Sequence, residues 1–352
     1  MNDFAIAGRR IGEGNPAFIV AEAGINHNGS IDSAMAMIGV AKQAGADAVK
    51  FQTFKAREFV GDKAQQFTYR SQGRQVTESM LVMFERYELP DEAWARIKAE
   101  CDRQQMIFMS TPQNRSDLDL LLKVGLPAVK IGSDDFNNLP LIRSYAQTGL
   151  PLILSCGMSD LSEVHQALDS AGAFEGYPVA LLLCTSQYPT PPADVNLRKL
   201  KTLQGAFPGL VTGFSDHTQG PLAASLAVAM GAQIFEKHFT LDHDLPGPDH
   251  WFSEDPSGLR QWIDGIRVSQ LMLGSPVVKA TKAELAMRTL ARRSLVALRP
   301  ISRGSVLTVE NVGLRRPGNG LPPSYFEQLL GSRAAHDIAA GALLTLGDIG
   351  TC

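Results

Sequence analysis

The sequence has no long apolar run and no excess of charge of either sign. Its 352 residues carry a formal net charge of −3 at pH 7. No apolar run approaches the roughly 20 residues that a membrane helix needs, and the first ten residues carry charges where a signal peptide needs an apolar core. A slightly acidic chain gives no reason to expect nucleic acid or an anionic membrane as partner. We therefore predict neither kind of partner.

Cysteine is also scarce. The four cysteines, Cys101, Cys156, Cys184 and Cys352, lie far apart and form no C-x-x-C pair. This spacing argues against a disulfide framework or a zinc site and is typical of cytosolic thiols. We therefore predict a cytoplasmic protein. Cys156 and Cys184 end predicted strands, but their apolar flanks and the lack of an assigned histidine partner favour buried bystanders over nucleophiles.

The composition is that of a globular chain, 44% hydrophobic and 20% charged, and the length allows about two domains. A short apolar run followed by an amphipathic stretch of helical period recurs through most of the chain. The predicted strands are 18–24, 48–54, 106–112, 128–134, 151–158, 179–186, 211–217 and 233–239. Eight strands alternating with helices predict a (β/α)₈ TIM barrel. The main rival, an open doubly wound sheet, usually has a G-x-G-x-x-G turn after its first strand, and this sequence lacks it there.

Two segments do not belong to the repeating pattern. Residues 1–16 are predicted to form a small hairpin before the first strand. Residues 55–90 are an enlarged excursion after the second strand, and a loop this long in a compact barrel is more often functional than idle.

The repeating pattern of strands and helices ends near residue 280. Segments 301–312 and 338–349 share the pattern I-x-x-G-x-x-L-T-x-x-[ND]-[VI] at an offset of 37 residues. An internal duplication this short predicts a compact pseudo-symmetric module that is rich in β-structure. We predict a barrel domain over 1–280, a helical linker over 281–292 and a small β-rich domain over 293–352.

Polar residues end every predicted barrel strand. In a (β/α)₈ barrel the reactive groups lie at the C-terminal ends of the strands. Those ends supply Glu22, Lys50, Gln52, Ser110, Thr111, Lys130, Ser133, Ser155, Ser186, Tyr188, Ser215, Asp216, His217, Glu236, Lys237 and His238. A single polar residue at a strand end needs no functional explanation, because strand ends often face water. Polar residues at the same end of all eight strands are less easily explained in this way, and they predict an active site at this end of the barrel.

Two lysines within this set lie inside apolar runs. Lys50 and Lys130 occur in "AVKFQ" and "AVKIG", where an ammonium group is costly unless it meets an anion. Lysines supply charge, and small hydroxyls supply donors without bulk. Together with the hydroxyls of Thr111, Ser133, Ser155 and Ser215, the lysines predict a cradle for a phosphate and a carboxylate.

Two histidines end the last two strands. His217 and His238 could converge on one metal ion, and Asp249, in the loop beyond the eighth strand, could reach the same place. A hard divalent ion held by imidazoles and substrate oxygen suits a Lewis-acid role. Two histidines alone are a weak metal signature, so two polar rim histidines remain an equal alternative.

Glu22 is the acidic residue of the first strand, in "AEAGINHNG". A carboxylate that ends a barrel strand is a candidate for proton transfer. The alternative is a glutamate held in a structural salt bridge. Asn26, His27 and Asn28, which follow it, are predicted to shape the turn, either at the rim of the site or behind the residues that contact the ligand.

Motifs along nearly the whole chain resemble the sialic acid synthases, the family of N-acetylneuraminate synthase that includes legionaminic and pseudaminic acid synthases. The matching segments are "FIVAEAGINHNG", "AGADAVKFQTF", "STP", "PAVKIGS", "LILSCGM", "CTSQYPTP", "GFSDHT", "EKHFTLDHDLPGPDH" and "RRPGNGL". The resemblance implies a barrel joined to a C-terminal antifreeze-like (SAF) domain. It also implies condensation of phosphoenolpyruvate with an N-acyl hexosamine, either N-acetylmannosamine or a related 2,4-diamino-trideoxyhexose, to give a nonulosonic acid and phosphate.

The resemblance also implies roles for individual residues. Phosphoenolpyruvate would be held by Lys50, Thr111, Lys130, Ser133, Ser155, Ser186 and Ser215. His217 and His238 would bind Mn²⁺ or Mg²⁺, and Glu22 would be the acid/base group. Lys50 and Asp249 are counted with Glu22 as catalytic residues.

The sugar would lie against other side chains. The resemblance implies that Gln52, Tyr188 and Asp249 contact it and that Arg316 reaches it from the partner subunit of a homodimer with swapped SAF domains. The excursion after the second strand and the "GSDDF" segment depart from the commonest pattern, so the sugar stays open. The alternative from another class is a non-catalytic sugar-binding barrel that has lost synthase activity.

Overall fold

The chain forms two compact units. The computed structural model describes residues 3–350, which divide into the units Met1–Gly274 and Ser275–Cys352. Across residues 3–350 no helix has both the length and the apolar character that a membrane crossing requires. Cys352, one of the predicted free thiols, lies outside the described residues.

The first unit is a closed barrel of parallel strands. Its strands, in chain order, are Phe18–Gly24, Ala48–Thr53, Ile107–Pro112, Val129–Ile131, Leu152–Ser155, Val179–Cys184, Val211–Asp216 and Ile234–His238. We call them the first to eighth barrel strands. Each pairs with its neighbours in sequence, and the eighth pairs with the first to close the ring. The predicted TIM barrel and its strand assignments are confirmed.

A helix follows each barrel strand. These barrel helices are Ile31–Ala44, Asp91–Arg103, Arg115–Val124, Leu139–Ala146, Leu161–Ser170, Lys199–Ala206, Leu222–Ala229 and Pro256–Leu273. Capping side chains and glycines determine where some of these helices begin and end. Asp160 and Glu163 form a reciprocal capping box that starts the fifth helix, and Gly45, in the left-handed conformation, ends the first. A short helix, Pro192–Val195, and a 3₁₀ turn, Ala173–Glu175, lie in the connections.

The N-terminal hairpin closes one end of the barrel. Strands Phe4–Ile6 and Arg9–Ile11 pair antiparallel, as predicted. Their side chains Ile6 and Ile11 are buried in the same cluster as the inward-facing apolar residues of the barrel strands. Because the barrel interior is filled by packed side chains, polar groups can gather only at the opposite, C-terminal end.

The excursion after the second strand is ordered. It contains helices Ala56–Phe59 and Met80–Tyr87 and an antiparallel pair of strands, Gln66–Ser71 and Arg74–Ser79. Its tip reaches the loop after the eighth strand, where the Gly247 N–H donates to Ser71 Oγ at 3.0 Å. The excursion therefore extends over the C-terminal end of the barrel.

The second unit is small and built from short elements. They are helix Lys282–Ala291, strands Ser294–Ala297, Val312–Arg315, Arg333–Ala334 and Ile349–Gly350, helix Phe326–Leu329, and the 3₁₀ turns Pro323–Tyr325 and Leu346–Asp348. Helix Lys282–Ala291 falls within the segment predicted as a helical linker.

The two copies of the sequence repeat form matching hydrogen bonds. Ile301 and Ile338, which are 37 residues apart, exchange backbone bonds with each other at 2.9 and 2.8 Å. Leu307 N donates to Ser332 O and Leu344 N donates to Leu295 O, both at 2.8 Å, and each donor and acceptor is again 37 residues from its counterpart. Both leucines are fully buried. The predicted pseudo-symmetric module is confirmed.

Candidate active site

A large cavity opens at the C-terminal ends of the barrel strands. It has a volume of about 950 Å³. The residues of the first unit to which the resemblance assigns roles all line it: Glu22, Lys50, Gln52, Thr111, Lys130, Ser133, Ser155, Ser186, Tyr188, Ser215, His217, His238 and Asp249. Ser110, Asp216 and Lys237, which also belong to the predicted set of strand ends, are not part of the lining. Arg316 belongs to the second unit, where its side chain is exposed, and it is not part of this lining.

The two lysines lie buried at the bottom of the cavity. Lys50 Nζ lies 2.6 Å from Glu22 Oε2 and donates to Thr111 Oγ1 at 3.1 Å. Lys130 Nζ donates to Ser155 Oγ at 2.8 Å. Both ammonium groups are almost inaccessible to solvent, so each needs anionic or hydroxyl partners. The cradle predicted from the sequence is assembled.

Glu236 belongs to the same cluster as the two lysines, although no role was predicted for it from the sequence. Its Oε2 lies 3.7 Å from Lys50 Nζ, and its Oε1 lies 3.5 Å from Lys130 Nζ. Ser215 Oγ donates to Glu236 Oε1 at 3.2 Å. The available signal was its place among the polar strand ends, two residues before His238. It bridges the two lysines and gives them a negative partner.

The two buried glutamates differ in proton affinity. Burial raises the pKa of Glu22 to about 7, although the attraction of Lys50 works in the opposite direction. Burial acts the same way on Glu236, but Lys130 and Lys50 together hold its pKa below the usual value. Glu22 is therefore the carboxyl group that can take up and release a proton near neutral pH.

The histidine pair lies beside this cluster. The ring centroids of His217 and His238 are 5.5 Å apart. His217 Nδ1 donates to the Thr185 carbonyl at 2.8 Å, which leaves the lone pair of a neutral ring on Nε2. A metal-binding histidine usually has this second hydrogen bond. His238 Nδ1 is buried without a hydrogen-bond partner. Burial, reinforced by the neighbouring His217 whenever that ring is protonated, holds the pKa of His238 well below its usual value, so the His238 ring stays neutral.

These residues fit a divalent metal ion only in part. Among residues 3–350, no group of three or more His, Cys, Asp or Glu side chains has the arrangement of a metal site. The unpartnered Nδ1 of His238 and the hydrogen-bonded ring of His217 fit two nitrogen ligands. The remaining ligands would have to be oxygen atoms of water or substrate, which suits Mn²⁺ or Mg²⁺ in a site that must exchange ligands.

Cys184 has a histidine partner that the sequence did not reveal. Its Sγ lies 3.8 Å from His217 Nδ1. Burial opposes ionisation of this thiol, but the contact with His217 lowers its pKa below the usual value. The expectation that Cys184 lacks a histidine partner is wrong. Cys156 donates to the Leu182 carbonyl, and burial raises its pKa to about 12, as expected for a bystander.

A glycine brings two serines of the cavity together. The Gly157 N–H donates to Ser133 Oγ at 3.0 Å. A Cβ atom at Gly157 would lie 2.3 Å from Ser186 Oγ and 2.7 Å from Ser133 Oγ, closer than atoms can approach. Ser186 Oγ is buried without a hydrogen-bond partner, so it is free to donate to a ligand.

In the turn after Glu22, Asn26 and His27 are buried, which agrees with the predicted position behind the site and not with the rim. Asn26 Nδ2 donates to the Phe239 carbonyl at 2.8 Å and to Ser253 Oγ at 3.0 Å. His27 is fully buried and its Nδ1 accepts from the Gly29 N–H at 3.1 Å. These side chains shape the turn, as expected, and do so from inside the protein.

The wider part of the cavity carries the predicted sugar contacts. The Tyr188 ring lies 4.1 Å from the His217 ring and 5.0 Å from the Phe252 ring, measured between centroids. Burial raises the pKa of Asp249 to about 6, so this carboxyl group is partly protonated near neutral pH. Gln52 also lines this region. Aromatic faces next to polar groups are typical of a site for a polar organic ligand.

A (β/α)₈ barrel with a buried lysine pair and an imidazole pair at its C-terminal end defines an enzyme-like site for an anionic substrate. Comparison with known proteins identifies the family. The NeuB family model matches residues 37–278 and the SAF domain model matches residues 292–350. The chain belongs to the NeuB family and carries a C-terminal SAF domain.

The relatives match along nearly the full chain. The N,N'-diacetyllegionaminic acid synthase of Legionella pneumophila is 39% identical over 337 residues, covering 95% of this chain and 94% of that protein. The crystal structure of the Bacillus subtilis spore coat polysaccharide biosynthesis protein SpsE is 36% identical, covers 99% of both chains and superposes with a TM-score of 0.67. The N-acetylneuraminic acid synthetase of Leptospira borgpetersenii, solved with citrate, is 30% identical over 81% of this chain and 94% of that chain, with a TM-score of 0.72.

Proposed function

We propose that this protein condenses phosphoenolpyruvate with an N-acyl hexosamine to form a nonulosonic acid and free phosphate. The observation that carries the proposal is the buried pair Lys50 and Lys130, surrounded by hydroxyl donors at the bottom of the cavity. A small substrate with both a phosphate and a carboxylate matches this arrangement. The similarity to synthases of nonulosonic acids supports the same reaction.

Phosphoenolpyruvate binds next to Lys50 and Lys130, whose ammonium groups also contact the carboxylates of Glu22 and Glu236. Its phosphate and carboxylate receive hydrogen bonds from the two ammonium groups and from the hydroxyls of Thr111, Ser133, Ser155, Ser186 and Ser215. Ser186 Oγ has no hydrogen-bond partner among residues 3–350, so phosphoenolpyruvate supplies an acceptor to a donor that is already buried.

The condensation forms a carbon–carbon bond and then releases phosphate by C–O cleavage. A Mn²⁺ or Mg²⁺ ion held by His217 and His238 would supply Lewis-acid polarisation of the sugar aldehyde. C3 of phosphoenolpyruvate attacks the aldehyde carbon, and positive charge develops at C2. Water adds at C2, and the resulting tetrahedral species expels phosphate and leaves a keto group. Of the two protons of the water, one completes the hydroxyl group formed from the aldehyde oxygen and the other leaves with the phosphate.

The chain's own residues carry the proton and charge transfers. Glu22, with a pKa of about 7, accepts the proton of the water that adds at C2. Lys50 and Lys130 neutralise the charge of the departing phosphate. Asp249, counted with the catalytic residues, is proposed to contact the sugar together with Gln52 and Tyr188, and all three line the cavity.

The sugar is proposed to be a hexosamine with one or two N-acyl groups. The similarity to an N,N'-diacetyllegionaminic acid synthase favours a 2,4-diacetamido-2,4,6-trideoxyhexose over N-acetylmannosamine. The aromatic rings of Tyr188 and Phe252 give this part of the cavity an apolar wall that suits acetyl and methyl groups. We also propose a cytoplasmic location, because Cys101, Cys156 and Cys184 are free thiols.

A panel assay tests the proposed function. The protein is supplied with phosphoenolpyruvate, Mn²⁺ and either N-acetylmannosamine or a 2,4-diacetamido-2,4,6-trideoxyhexose. We expect equal amounts of phosphate and 2-keto acid, with the higher kcat/KM for the diacetamido sugar. Binding of sugar without phosphate release would instead support the non-catalytic barrel, and a preference for N-acetylmannosamine would reject the proposed sugar.

We further propose a homodimer in which the SAF domain of one subunit completes the active site of its partner. Helix Lys282–Ala291 buries none of its residues. Its apolar side chains Leu285, Met287 and Leu290 are each more than half exposed, at 52%, 58% and 66%. Exposed apolar surface of this kind typically marks an interface. Arg316, exposed in the same unit, is proposed to contact the N-acyl group of a sugar bound in the partner subunit.

Mixing two inactive variants tests the shared site. Arg316→Ala should raise the sugar KM by about 10- to 100-fold, because a charge-assisted hydrogen bond is lost. Glu22→Gln should lower kcat. In a swapped dimer, one site of a mixed dimer combines an intact Glu22 with an intact Arg316. Co-refolding equal amounts should therefore restore about a quarter of the wild-type sites.

The same mixture distinguishes the alternatives. If each subunit used its own Arg316, every site in the mixture would contain one defect and activity would stay at the level of the separate variants. Arg315→Ala is the matched control, since the neighbouring arginine is also exposed. It should leave the sugar KM unchanged.

A further inference from the structure

A buried ion pair lies directly behind the two histidines. Asp216 and Lys237 are opposite each other on the seventh and eighth barrel strands, and each immediately precedes a histidine of the cavity. Lys237 Nζ lies 3.3 Å from Asp216 Oδ2, and the two side chains are 2% and 0% exposed. Trp262 Nε1, from the last barrel helix, donates to Asp216 Oδ2 at 2.9 Å. The pair therefore points to the outer side of the barrel, away from the cavity.

This ion pair fixes the chain that follows His217. Asp216 Oδ1 accepts from both the N–H and the Oγ1 of Thr218, at 2.8 and 2.7 Å. Lys237 Nζ donates to the Thr218 carbonyl. The second acidic neighbour of Lys237 is Glu254. Glu254 Oε1 lies 3.6 Å from Lys237 Nζ and accepts from the Gly220 N–H at 2.8 Å. Each end of the network is thus bonded to the backbone.

The same network reaches the chain around His238. The Glu254 N–H donates to the His238 carbonyl, and the Thr240 N–H donates to the Glu254 carbonyl, both at 2.9 Å. Glu254 therefore contacts the backbone on both sides: through its side chain after His217, and through its main chain at His238. One set of buried charges links the backbone positions of both imidazoles.

We infer that Asp216, Lys237 and Glu254 are positioning residues that set the separation of His217 and His238 and thereby the affinity for a divalent metal ion. The inference rests on the proposed metal site. With two protein ligands, affinity depends strongly on how well their separation is fixed before the ion binds. A buried ion pair adds little net stability compared with apolar side chains of the same size, but its bonds have a strict geometry. The network therefore acts on the position of the histidines.

Metal titration tests this inference without measuring activity. Free Mn²⁺ is followed by electron paramagnetic resonance as it is added to the full-length protein. Asp216→Asn should weaken Mn²⁺ binding by about 10- to 100-fold, as expected for the loss of a supporting partner of a metal ligand. Trp262→Phe, which removes only one donor to Asp216, should cause a smaller loss in the same direction. If Asp216→Asn does not fold, Trp262→Phe carries the test.

A partly buried ion-pair cluster provides the control. Asp47, at the opposite end of the barrel, lies 2.7 Å from Arg267 and 2.8 Å from Arg9, and accepts from the Ile19 N–H at 2.8 Å. Asp47→Asn should lower the melting temperature but leave the Mn²⁺ affinity within about twofold of wild type, because the sites are distant and independent.

The outcomes separate the inference from the proposed metal site. Wild-type affinity in Asp216→Asn and Trp262→Phe, or an equal loss in Asp47→Asn, would overturn the positioning role. His217→Ala calibrates the assay. If His217→Ala binds Mn²⁺ as tightly as wild type, the proposed metal site itself is wrong.

Discussion

Replacement of Glu22 by glutamine is expected to lower kcat by about 10²- to 10⁴-fold, the usual contribution of a positioned acid/base group, with little change in the affinity for phosphoenolpyruvate. Glutamine has the same shape and can still accept from Lys50, which lies 2.6 Å from the Glu22 carboxylate. It cannot take up the proton of the attacking water. Single-turnover rates and equilibrium binding of phosphoenolpyruvate separate the two effects.

The same variant should change the pH profile. With a pKa of about 7, the ionised fraction of Glu22 rises from about one-tenth at pH 6 to about nine-tenths at pH 8, and a general base works only when ionised. Activity should therefore increase with pH through this range. A bound anion beside Glu22 raises the pKa further and moves the increase to higher pH. In Glu22→Gln this increase should be absent.

Glu236→Gln is the matched control for both measurements. Glu236 is buried and also contacts Lys50, but its pKa is held low by the two lysines. It stays ionised across the same pH range, so its replacement should keep the increase but move it to lower pH, because the charge of Glu236 helps to raise the pKa of Glu22. An equal loss of kcat and phosphoenolpyruvate affinity in Glu22→Gln would make Glu22 a residue that only holds Lys50.

The barrel could be predicted from the sequence because the features that mark its strands and helices are local. Each apolar strand ends in polar residues, and glycines such as Gly45 and Gly125 stop the helices. The parallel arrangement then brings all C-terminal strand ends together, so residues as distant as Glu22 and Asp249 could be assigned to one cavity. The 37-residue repeat likewise predicted a pseudo-symmetric module, and in the structure Ile301 pairs with Ile338.

What the sequence could not supply was the direction and partner of individual side chains. Glu236 and Lys237 are neighbours in a strand, yet one contacts the lysines of the cavity and the other forms an ion pair behind it. Alternation along a strand predicts opposite faces, but not which face meets which partner. Asn26 and Cys184 show the same limit, since their partners lie 213 and 33 residues away along the chain.

Lys50→Met is expected to reduce stability as well as activity. Removal of this ammonium group leaves Glu22 buried without the attraction that favours its ionised form. Lys50 opposes the effect of burial on Glu22, so its loss raises the pKa of Glu22 above 7. The variant must then protonate Glu22, which costs about 1.4 kcal/mol for each pH unit above the wild-type pKa of about 7. The penalty should be larger at pH 8 than at pH 6 and should disappear as the pH falls through about 7.

The double variant Lys50→Met/Glu22→Gln tests this cause. It removes both charges, so it should recover most of the lost stability and show a weaker pH dependence, while turnover stays absent because neither the phosphate partner nor the proton acceptor remains. Urea unfolding of the barrel at pH 6 and pH 8 gives the comparison. Glu236 should contribute little to the difference, since it keeps Lys130 at 3.5 Å. A double variant no more stable than Lys50→Met would mean that the lysine stabilises the barrel through its packing and its bond to Thr111 rather than by neutralising Glu22.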